Sequence, residues 1–180
     1  MNELKGKRIL MFVADLFEDM ELLYPKIRLK EAGAHVVVAG EMQGNAYKGK
    51  HGHPCEADEA FVNIRSKDFD ALVIPGGFAP DKLRREKKVL DVTRTFHEMG
   101  KPIAYICHAG WVPISAGIVK GFRVTSTRAI KDDLVNAGAE WVDEPLVVDR
   151  HHITSRNPGD LPQFCNGIIQ MMSERVEMLT

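Results

Sequence analysis

The sequence predicts an α/β protein built as a doubly wound, mostly parallel sheet with helices on both faces. Short apolar runs, such as residues 8–14 and 70–74, have the length of buried strands and lack the alternation of strands with one wet face. These runs alternate with segments of helical periodicity, which is typical of βαβ units and of the flavodoxin-like arrangement. The 180 residues show no internal repeat and no linker, so we expect a single domain over residues 1–180.

The first βαβ unit occupies the N-terminal part of the chain. A strand at residues 8–14 leads into a helix that opens at residues 15–18 and ends at Gly33, a position that favours glycine. A second strand covers residues 35–39. At a spacing of three and four residues, the predicted apolar face of the helix consists of Met20, Leu23, Tyr24 and Ile27.

The middle of the chain adds a less regular excursion and then a third buried strand. Residues 40–59 are rich in Gly, Lys and His, and we expect a hairpin or an irregular sheet edge there. The strand at residues 70–74 ends at Pro75-Gly76-Gly77, and a short helical turn at 81–85 precedes a helix that stops at Gly100.

The stretch KPIAYICHAGWVPISA, residues 101–116, is predicted to hold the reactive centre. An apolar strand at 103–106 meets Cys107-His108, and a helix with Pro113 in its first turn follows. A side chain on such a tight strand-to-helix turn is pushed out of the sheet, and the helix N-terminus favours a thiolate.

The C-terminal third completes the sheet and its helical cover. We expect a short strand at 122–125, a helix ended by Gly138, strands at 146–149 and 152–155, and a final helix that starts at Asn157-Pro158. His151-His152 is interpreted as an ordinary pair at the solvent edge, since neighbours on a strand face opposite ways.

Three strand ends carry side chains or backbone groups that suit catalysis. The first strand leads to Glu18, the third to Gly76-Gly77 and the fourth to Cys107-His108. Because the carboxyl ends of parallel strands meet at one edge, a carboxyl, two backbone N–H groups and a thiol converge if these strands are neighbours. The bland alternatives are an inert buried thiol, a histidine that caps the turn and a carboxylate at its own helix N-terminus.

Charge and composition exclude several classes of function. Net charge is −1 and no basic stripe is present, so we expect no nucleic-acid partner. The N-terminal apolar run is too short for a membrane span or a signal peptide, and we expect no membrane partner. Three cysteines without a framework spacing fit a cytoplasmic protein. A metal module of His51, His53 and Cys55 on one strand face is a further alternative, although no metal or cofactor is expected for the reaction.

Many short motifs in order resemble the ThiJ/PfpI superfamily, and the PfpI-type intracellular cysteine peptidases in particular. The resemblance spans nearly the whole chain. The matching segments are Phe17-Glu18-Asp19 with Glu21-Leu22, Gly49-Lys50-His51-Gly52, residues 69–77 (FDALVIPGG), Ala79-Pro80-Asp81, Ile106-Cys107-His108, residues 114–117 (ISAG) and Thr154-Ser155-Arg156.

The resemblance implies a role for each residue of the site. Cys107 is the expected nucleophile, Glu18 the carboxyl that hydrogen-bonds its sulfur, and His108 the base. The backbone N–H groups of Gly77 and His108 are the expected oxyanion donors. Asp81, where relatives carry Glu, is expected to reach the histidine of a neighbouring subunit, so the family also implies a homo-oligomer, either a dimer or a higher ring.

Two departures from the family pattern bear on the substrate. Trp111 follows Ala109-Gly110 where relatives continue with Gly-Pro, and it is expected either to narrow the pocket or to supply a wall on which a substrate can stack. After Thr125-Ser126, where close relatives continue with Tyr-Pro, this chain has Thr127-Arg128, and Arg128 is expected to favour an anionic ligand. The predicted function is a cysteine-dependent hydrolase acting on peptides or on glyoxals and their protein adducts, and so a peptidase or a deglycase-like enzyme. The alternative is a non-enzymatic stress protein that senses oxidants through Cys107.

Overall fold

The parallel sheet predicted from the sequence is present and forms the centre of the molecule. The computed structural model describes residues 2–177. Seven strands lie in the order β10-β11-β7-β6-β1-β2-β5, and all neighbouring pairs are parallel except β10–β11. Their bounds are β1 Arg8–Phe12, β2 His35–Gly40, β5 Glu59–Ala60, β6 Ala71–Ile74, β7 Ile103–Ile106, β10 Val147–Asp149 and β11 His152–Ser155.

Within residues 2–177, two small sheets and six α-helices surround this sheet. The remaining strands are β3 Ala46–Lys48 paired with β4 Pro54–Glu56, and β8 Arg123–Val124 paired with β9 Glu140–Trp141. The helices are α1 Asp19–Glu31, α2 Ala79–Leu83, α3 Lys87–Glu98, α4 Trp111–Ala116, α5 Lys131–Asn136 and α6 Leu161–Glu177. None of the helices in the described part of the chain is both long and apolar enough to cross a bilayer.

Apart from Arg8 at the exposed start of β1, the central strands are apolar because helices cover both of their faces. Every residue of β6 and β7 is buried, as are four of the five residues of β1. The order β7-β6-β1 makes the three chemically interesting strands direct neighbours, as the sequence argument required. Their carboxyl ends therefore open onto one crevice.

The apolar face predicted for α1 is correct for Leu23 and Tyr24, which are half-buried against the core, and wrong for its other two residues. Met20 and Ile27 are exposed, whereas the buried side chains of this helix are Asp19, Glu21, Leu22, Pro25 and Leu29. The helix also begins later than predicted, at Asp19, because residues 15–18 form a turn in which Leu16 has a φ of +67°. The carboxyl of Glu21 is therefore buried in this helix, whereas the side chain of Met20 is exposed.

Smaller differences concern the outer elements. Residues 40–59 do contain a hairpin, formed by β3 and β4, as predicted. The strand predicted at 122–125 pairs with β9 instead of joining the main sheet. The final helix starts at Leu161, because residues Pro158–Asp160 form a 3-10 turn that the Asn157 side chain caps.

Candidate active site

Cys107 lies on a strained turn at the end of β7. Its φ is +62°, which is uncommon for a residue with a Cβ and places the side chain above the sheet edge. The chain continues through a 3-10 turn, Cys107–Gly110, directly into α4. Strand, strained residue and helix follow one another as in the nucleophile elbow of α/β-hydrolases.

Two backbone N–H groups face the sulfur of Cys107. They belong to His108 and Gly77, and both lower the pKa of the thiol by hydrogen bonding to it. Gly77 has a φ of +77°, and a Cβ there would collide with the backbone of residues 16–18. The turn after β6 thus requires glycine at this position to bring its N–H to the sulfur.

The carboxyl beside the sulfur is Glu21, and the expectation that Glu18 occupies this place was wrong. Glu21 is fully buried, the backbone N–H of Gly76 donates to its Oε2 at 2.8 Å, and the thiol of Cys107 is near enough to act on the pKa of this carboxyl. Gly76 has no room for a side chain, since an added Cβ would overlap the Glu21 carboxylate and the Cβ of Cys107. Gly76 therefore holds the carboxyl, whereas Gly77 faces the thiol.

Burial controls the protonation of this carboxyl and thiol. It raises the pKa of Glu21 to about 8, so the carboxyl carries a proton at neutral pH. Burial also raises the pKa of the Cys107 thiol to about 12, and an ionised Glu21 contributes to that rise. Protonation of Glu21 removes the second effect and provides an O–H that can donate to a thiolate.

Glu18 lies at the mouth of the crevice and binds a lysine. Its carboxylate oxygens lie 2.6 Å from Lys50 Nζ and 3.7 Å from His51 Nε2. The hydrogen bond from Lys50 to Glu18 raises the pKa of the lysine, and the thiol also acts on that charge. Glu18 therefore holds the positive charge of Lys50 beside the site, and the carboxyl that acts on the sulfur of Cys107 is Glu21.

Asp19 fixes the loop that carries this lysine. Its carboxylate accepts hydrogen bonds from the backbone N–H groups of His51, at 2.9 Å, and His53, at 3.0 Å. A Cβ on Gly49 would overlap the same carboxylate. Two acids in sequence, Glu18 and Asp19, therefore hold the loop between β3 and β4 against α1.

His108 is placed to exchange a proton with the thiol. Its Nδ1 lies 3.3 Å from the sulfur of Cys107. Burial lowers the pKa of His108 and the positive charge of Lys50 lowers it further, so the imidazole is neutral at neutral pH. A neutral ring with a free nitrogen is the form in which histidine acts as a general base.

Trp111 forms one wall of the site. The centroids of its ring and the His108 ring are 5.2 Å apart, and its indole N–H donates to Asp133 at 2.8 Å. The guanidinium of Arg84 lies over the indole ring of Trp111, 5.5 Å from its centroid. The tryptophan is thus fixed by a hydrogen bond and a cation rather than left free to swing.

Asp81 and Arg128, the two remaining predicted residues, lie at the exposed rim. Asp81 pairs with Arg85 at 3.0 Å along α2, and its side chain is 59% exposed. Arg128 is exposed and starts a 3-10 turn next to Thr127, whose backbone N–H lies 3.4 Å from the carbonyl oxygen of Cys107. Within one chain, neither side chain is part of the contacts around the sulfur.

The metal triplet His51, His53 and Cys55 is not formed among the residues that the structure describes. His51 lies in the turn between β3 and β4, and His53 precedes β4, so the three residues do not share a strand face. Cys55 is buried, with its sulfur 3.8 Å from Lys26 Nζ.

Two other groups within residues 2–177 bring three potential ligand atoms within 4.8 Å of one another. The first, Glu18, Asp19 and His51, lies at the mouth of the site, where these groups already bind Lys50 and the loop. The second consists of three histidines at the opposite edge of the sheet.

Sequence reasoning missed Glu21 and Lys50. Both lie in segments quoted for the resemblance, Glu21-Leu22 and Gly49-Lys50-His51-Gly52, but neither received a role. The sequence signal that could have found Glu21 is a second apolar pattern in α1, formed by Leu22, Pro25 and Leu29 at a spacing of three and four residues, because these three residues are buried together with Glu21.

Comparison with known proteins identifies a family for this architecture. The model of the DJ-1/PfpI family matches residues 7–171. A Pyrococcus abyssi protein named a deglycase is 44% identical over 165 residues, which cover 92% of this chain and 99% of the relative. A Bacillus subtilis protein named a putative cysteine protease is 41% identical over 159 residues, covering 88% of this chain and 94% of the relative.

Solved structures show the same fold. A two-domain protein of Anabaena variabilis, with a DJ-1/ThiJ/PfpI-like and a ferritin-like domain, superposes with a TM-score of 0.91 at 40% identity. The match covers 93% of this chain and 48% of that protein, so the chain spans about half of its length. Drosophila melanogaster DJ-1β superposes with a TM-score of 0.88 at 32% identity, over 93% and 90% of the two chains.

Proposed function

The chain belongs to the DJ-1/PfpI family, and we propose that it is a cysteine-dependent hydrolase of the deglycase type with Cys107 as the nucleophile. One observation carries the proposal: the thiol lies on a strained turn, between two backbone N–H groups and a buried carboxyl, with a neutral imidazole at 3.3 Å. Each group meets one need of addition to a carbonyl carbon.

The proposed chemistry starts from a neutral thiol. His108 takes the proton of the thiol at Nδ1 while the sulfur bonds to the carbonyl carbon of the substrate. The carbonyl oxygen becomes an oxyanion that the N–H groups of Gly77 and His108 hold. With a glyoxal adduct R–NH–CH(OH)–CO–R′, the attacked carbonyl is the aldehyde that forms when the C–N bond breaks and the amine leaves with the hydroxyl proton. His108 then returns its proton to the oxyanion, and a proton shifts from the sulfur-bearing carbon to the neighbouring carbonyl carbon. Water hydrolyses the resulting thioester to a 2-hydroxy acid and the free thiol.

The protonated Glu21 assists this step. Its carboxyl stabilises a thiolate by donating a hydrogen bond, and the positive charge of Lys50 adds an attraction. A thiol of raised pKa is thus activated only while its proton is being transferred to His108. The arrangement suits an electrophilic carbonyl, which reacts with a thiol that is ionised only briefly.

Among carbonyl substrates, we favour adducts of glyoxals on amino groups over long peptides. Curated relatives that span this chain are named deglycases, and Trp111 closes one side of the crevice. Arg128 at the rim would suit an anionic group on the carrier molecule. The unpaired state of Cys55, Cys107 and Cys165 suits a reducing cytoplasm.

The test compares two substrates and two cysteine variants. Wild-type protein should release amines from a methylglyoxal-modified peptide faster than it cleaves a fluorogenic peptide. Cys107→Ser should lose at least a thousandfold in turnover. The matched control is Cys55→Ser, whose hydroxyl keeps Lys26 and the Glu56 carbonyl as polar neighbours and should retain activity. Faster cleavage of the unmodified peptide would reverse the assignment to peptidase.

We also propose that the active form is a homo-oligomer in which Asp81 approaches His108 of a neighbouring subunit. Asp81 lies on the same rim as two exposed apolar side chains, Leu16 and Phe78, which are 44% and 58% exposed. Backbone hydrogen bonds place the three residues side by side. The N–H of Phe78 donates to the carbonyl oxygen of Leu16, and the N–H of Asp81 donates to the carbonyl oxygen of Phe78. A second copy would cover this apolar rim.

Subunit complementation tests that arrangement. Asp81→Ala and Cys107→Ala chains should each be inactive alone. Co-assembled dimers should recover about a quarter of wild-type activity, because half of them are mixed and each mixed dimer has one complete site. Recovery of no activity, or full activity of Asp81→Ala as a monomer, would contradict the arrangement.

A second candidate function is oxidant sensing through Cys107. The protonated Glu21 could donate a hydrogen bond to an oxidised sulfur. Oxidation by peroxide to the sulfinate would consume two molecules of hydrogen peroxide and release two of water. Ready sulfinate formation without turnover of either substrate would favour this candidate over the hydrolase.

A further inference from the structure

Three histidines meet at the edge of the sheet away from Cys107. His97 lies in the last turn of α3, and His151 and His152 lie where the chain enters β11. His97 Nδ1 is 3.0 Å from His151 Nε2 and 3.2 Å from His152 Nε2. The expected solvent-edge pair was wrong for His152, which is fully buried, and we call the three residues the histidine cluster.

The spacing of these nitrogens matches a tetrahedral metal site. Zinc bound to imidazole at about 2.0–2.1 Å separates neighbouring ligand atoms by about 3.3 Å. Two of the three separations in the histidine cluster are within about 0.3 Å of that value, and all three nitrogens lie within 4.8 Å of one another.

The surroundings of His152 orient its ring as they would around a metal. The hydroxyl of Tyr105, a fully buried residue, lies 2.9 Å from His152 Nδ1, so Nε2 of the same ring can carry its lone pair towards the cluster. The Phe122 ring stacks on His152 with centroids 4.0 Å apart and an angle of 20°. A hydrogen bond at the remote nitrogen and an apolar wall are the usual support of a histidine ligand.

The positive charge of Arg150 would repel a bound cation, and the negative charge of Asp149 reduces this repulsion. The guanidinium of Arg150 lies 3.5 Å from the Phe122 centroid, on the ring that stacks against His152. Asp149 pairs with this guanidinium at 3.1 Å and thus screens it. His97 and His151 are only half-buried, which leaves a path for an ion from solvent.

We propose that the histidine cluster binds one divalent cation of the zinc class, with His97 Nδ1, His151 Nε2 and His152 Nε2 as ligands and water at the fourth position. Imidazole nitrogens suit zinc, copper and nickel, and a tetrahedral three-histidine set favours zinc. His152 pairs with Ile103, four residues before Cys107 along β7, so the site is about 13 Å from the thiol. The cation would tie the end of α3 to β11 and would take no part in the reaction.

Metal binding to the full-length protein tests the proposal. After treatment with a chelator and desalting, the protein is titrated with Co²⁺ while the visible absorption of tetrahedral cobalt is followed, and Zn²⁺ is then used to displace it. One equivalent should bind, and free zinc at about one hundred times Kd should raise the Tm by about 5–10 °C. His97→Gln and His151→Gln should each weaken binding at least tenfold.

Three controls separate this site from others. His35→Gln removes an exposed histidine at the start of β2, and His51→Gln and Cys107→Ala change the active-site side of the sheet. All three should keep the cobalt spectrum and the zinc-dependent rise in Tm. The proposal fails if zinc at about 1 mM does not bind, or if binding survives His97→Gln and His151→Gln unchanged. It also fails if binding is lost in His51→Gln or Cys107→Ala.

Discussion

Replacing Glu21 by glutamine should remove a large pH-dependent cost of folding. The pKa of Glu21 is raised from 4.5 to about 8, chiefly by burial. The folded protein therefore keeps a proton that the unfolded chain has lost, and the free energy of unfolding falls as pH rises through this window. Glutamine fills the same volume and does not ionise, so Glu21→Gln should lose this dependence.

The size of the effect follows from the shift. One pKa unit corresponds to about 1.4 kcal/mol, so the free energy of unfolding of the variant, minus that of wild type, should grow by about 3.5 kcal/mol between pH 5 and pH 8. Urea denaturation at several pH values measures this difference, in which groups common to both proteins cancel. The matched control is Glu31→Gln, an exposed position in the same helix, expected to stay within about 0.5 kcal/mol of wild type. Parallel pH profiles for wild type and Glu21→Gln would refute the assignment of Glu21 as the buried, protonated carboxyl.

Two further substitutions probe the groups around the thiol. Gly76→Ala should destabilise the fold by about 1–3 kcal/mol and lower turnover at least tenfold, because its Cβ would displace Glu21 and Cys107. Denaturation measures the change in stability, and steady-state kinetics measure the change in turnover. A fully active and stable variant would show that the site tolerates the displacement. Lys50→Met should raise the pKa of His108, since the substitution removes a positive charge that lowers this pKa. NMR titration of the imidazole ring measures the change. An unchanged or lower pKa would contradict the proximity of Lys50 and His108.

The sequence predicted the sheet and the convergence of its strand ends well. Fully apolar runs at β1, β6 and β7 have one physical explanation, burial on both faces, and neighbouring parallel strands bring their carboxyl ends together. Cys107 and Gly77 could therefore be placed in one crevice before any coordinates were known. Their proximity depends on strand order, which local pattern alone does not specify but which βαβ connections restrict.

The identity of the carboxyl could not be predicted in the same way. Met20 and Ile27 made an apolar face at helical spacing, yet both are exposed. The turn at Leu16, with its positive φ, precedes the start of α1. The spacing of apolar residues within the helix does not predict such a turn, and so it does not predict which face of the helix is buried. Glu21 is buried where the backbone N–H of Gly76 donates to it and the Cys107 thiol acts on its pKa, and these tertiary neighbours do not follow from the predicted apolar spacing of its helix.

The histidine cluster shows a similar limit. On a regular strand His151 and His152 would face opposite ways, but Arg150 has a φ of +54° and the chain turns just before β11. Both rings thereby reach His97, which lies more than fifty residues away in sequence. A local deviation in the backbone decided the grouping.

The most direct test of the central claim is to trap the covalent intermediate on Cys107. Wild-type protein is mixed with a methylglyoxal-modified peptide, quenched with acid during the first turnover and digested for mass spectrometry. We expect one substrate-derived fragment on the peptide that contains Cys107, and it should disappear when turnover is allowed to finish. Turnover without any adduct on Cys107, or undiminished turnover by Cys107→Ala, would contradict nucleophilic catalysis by this thiol.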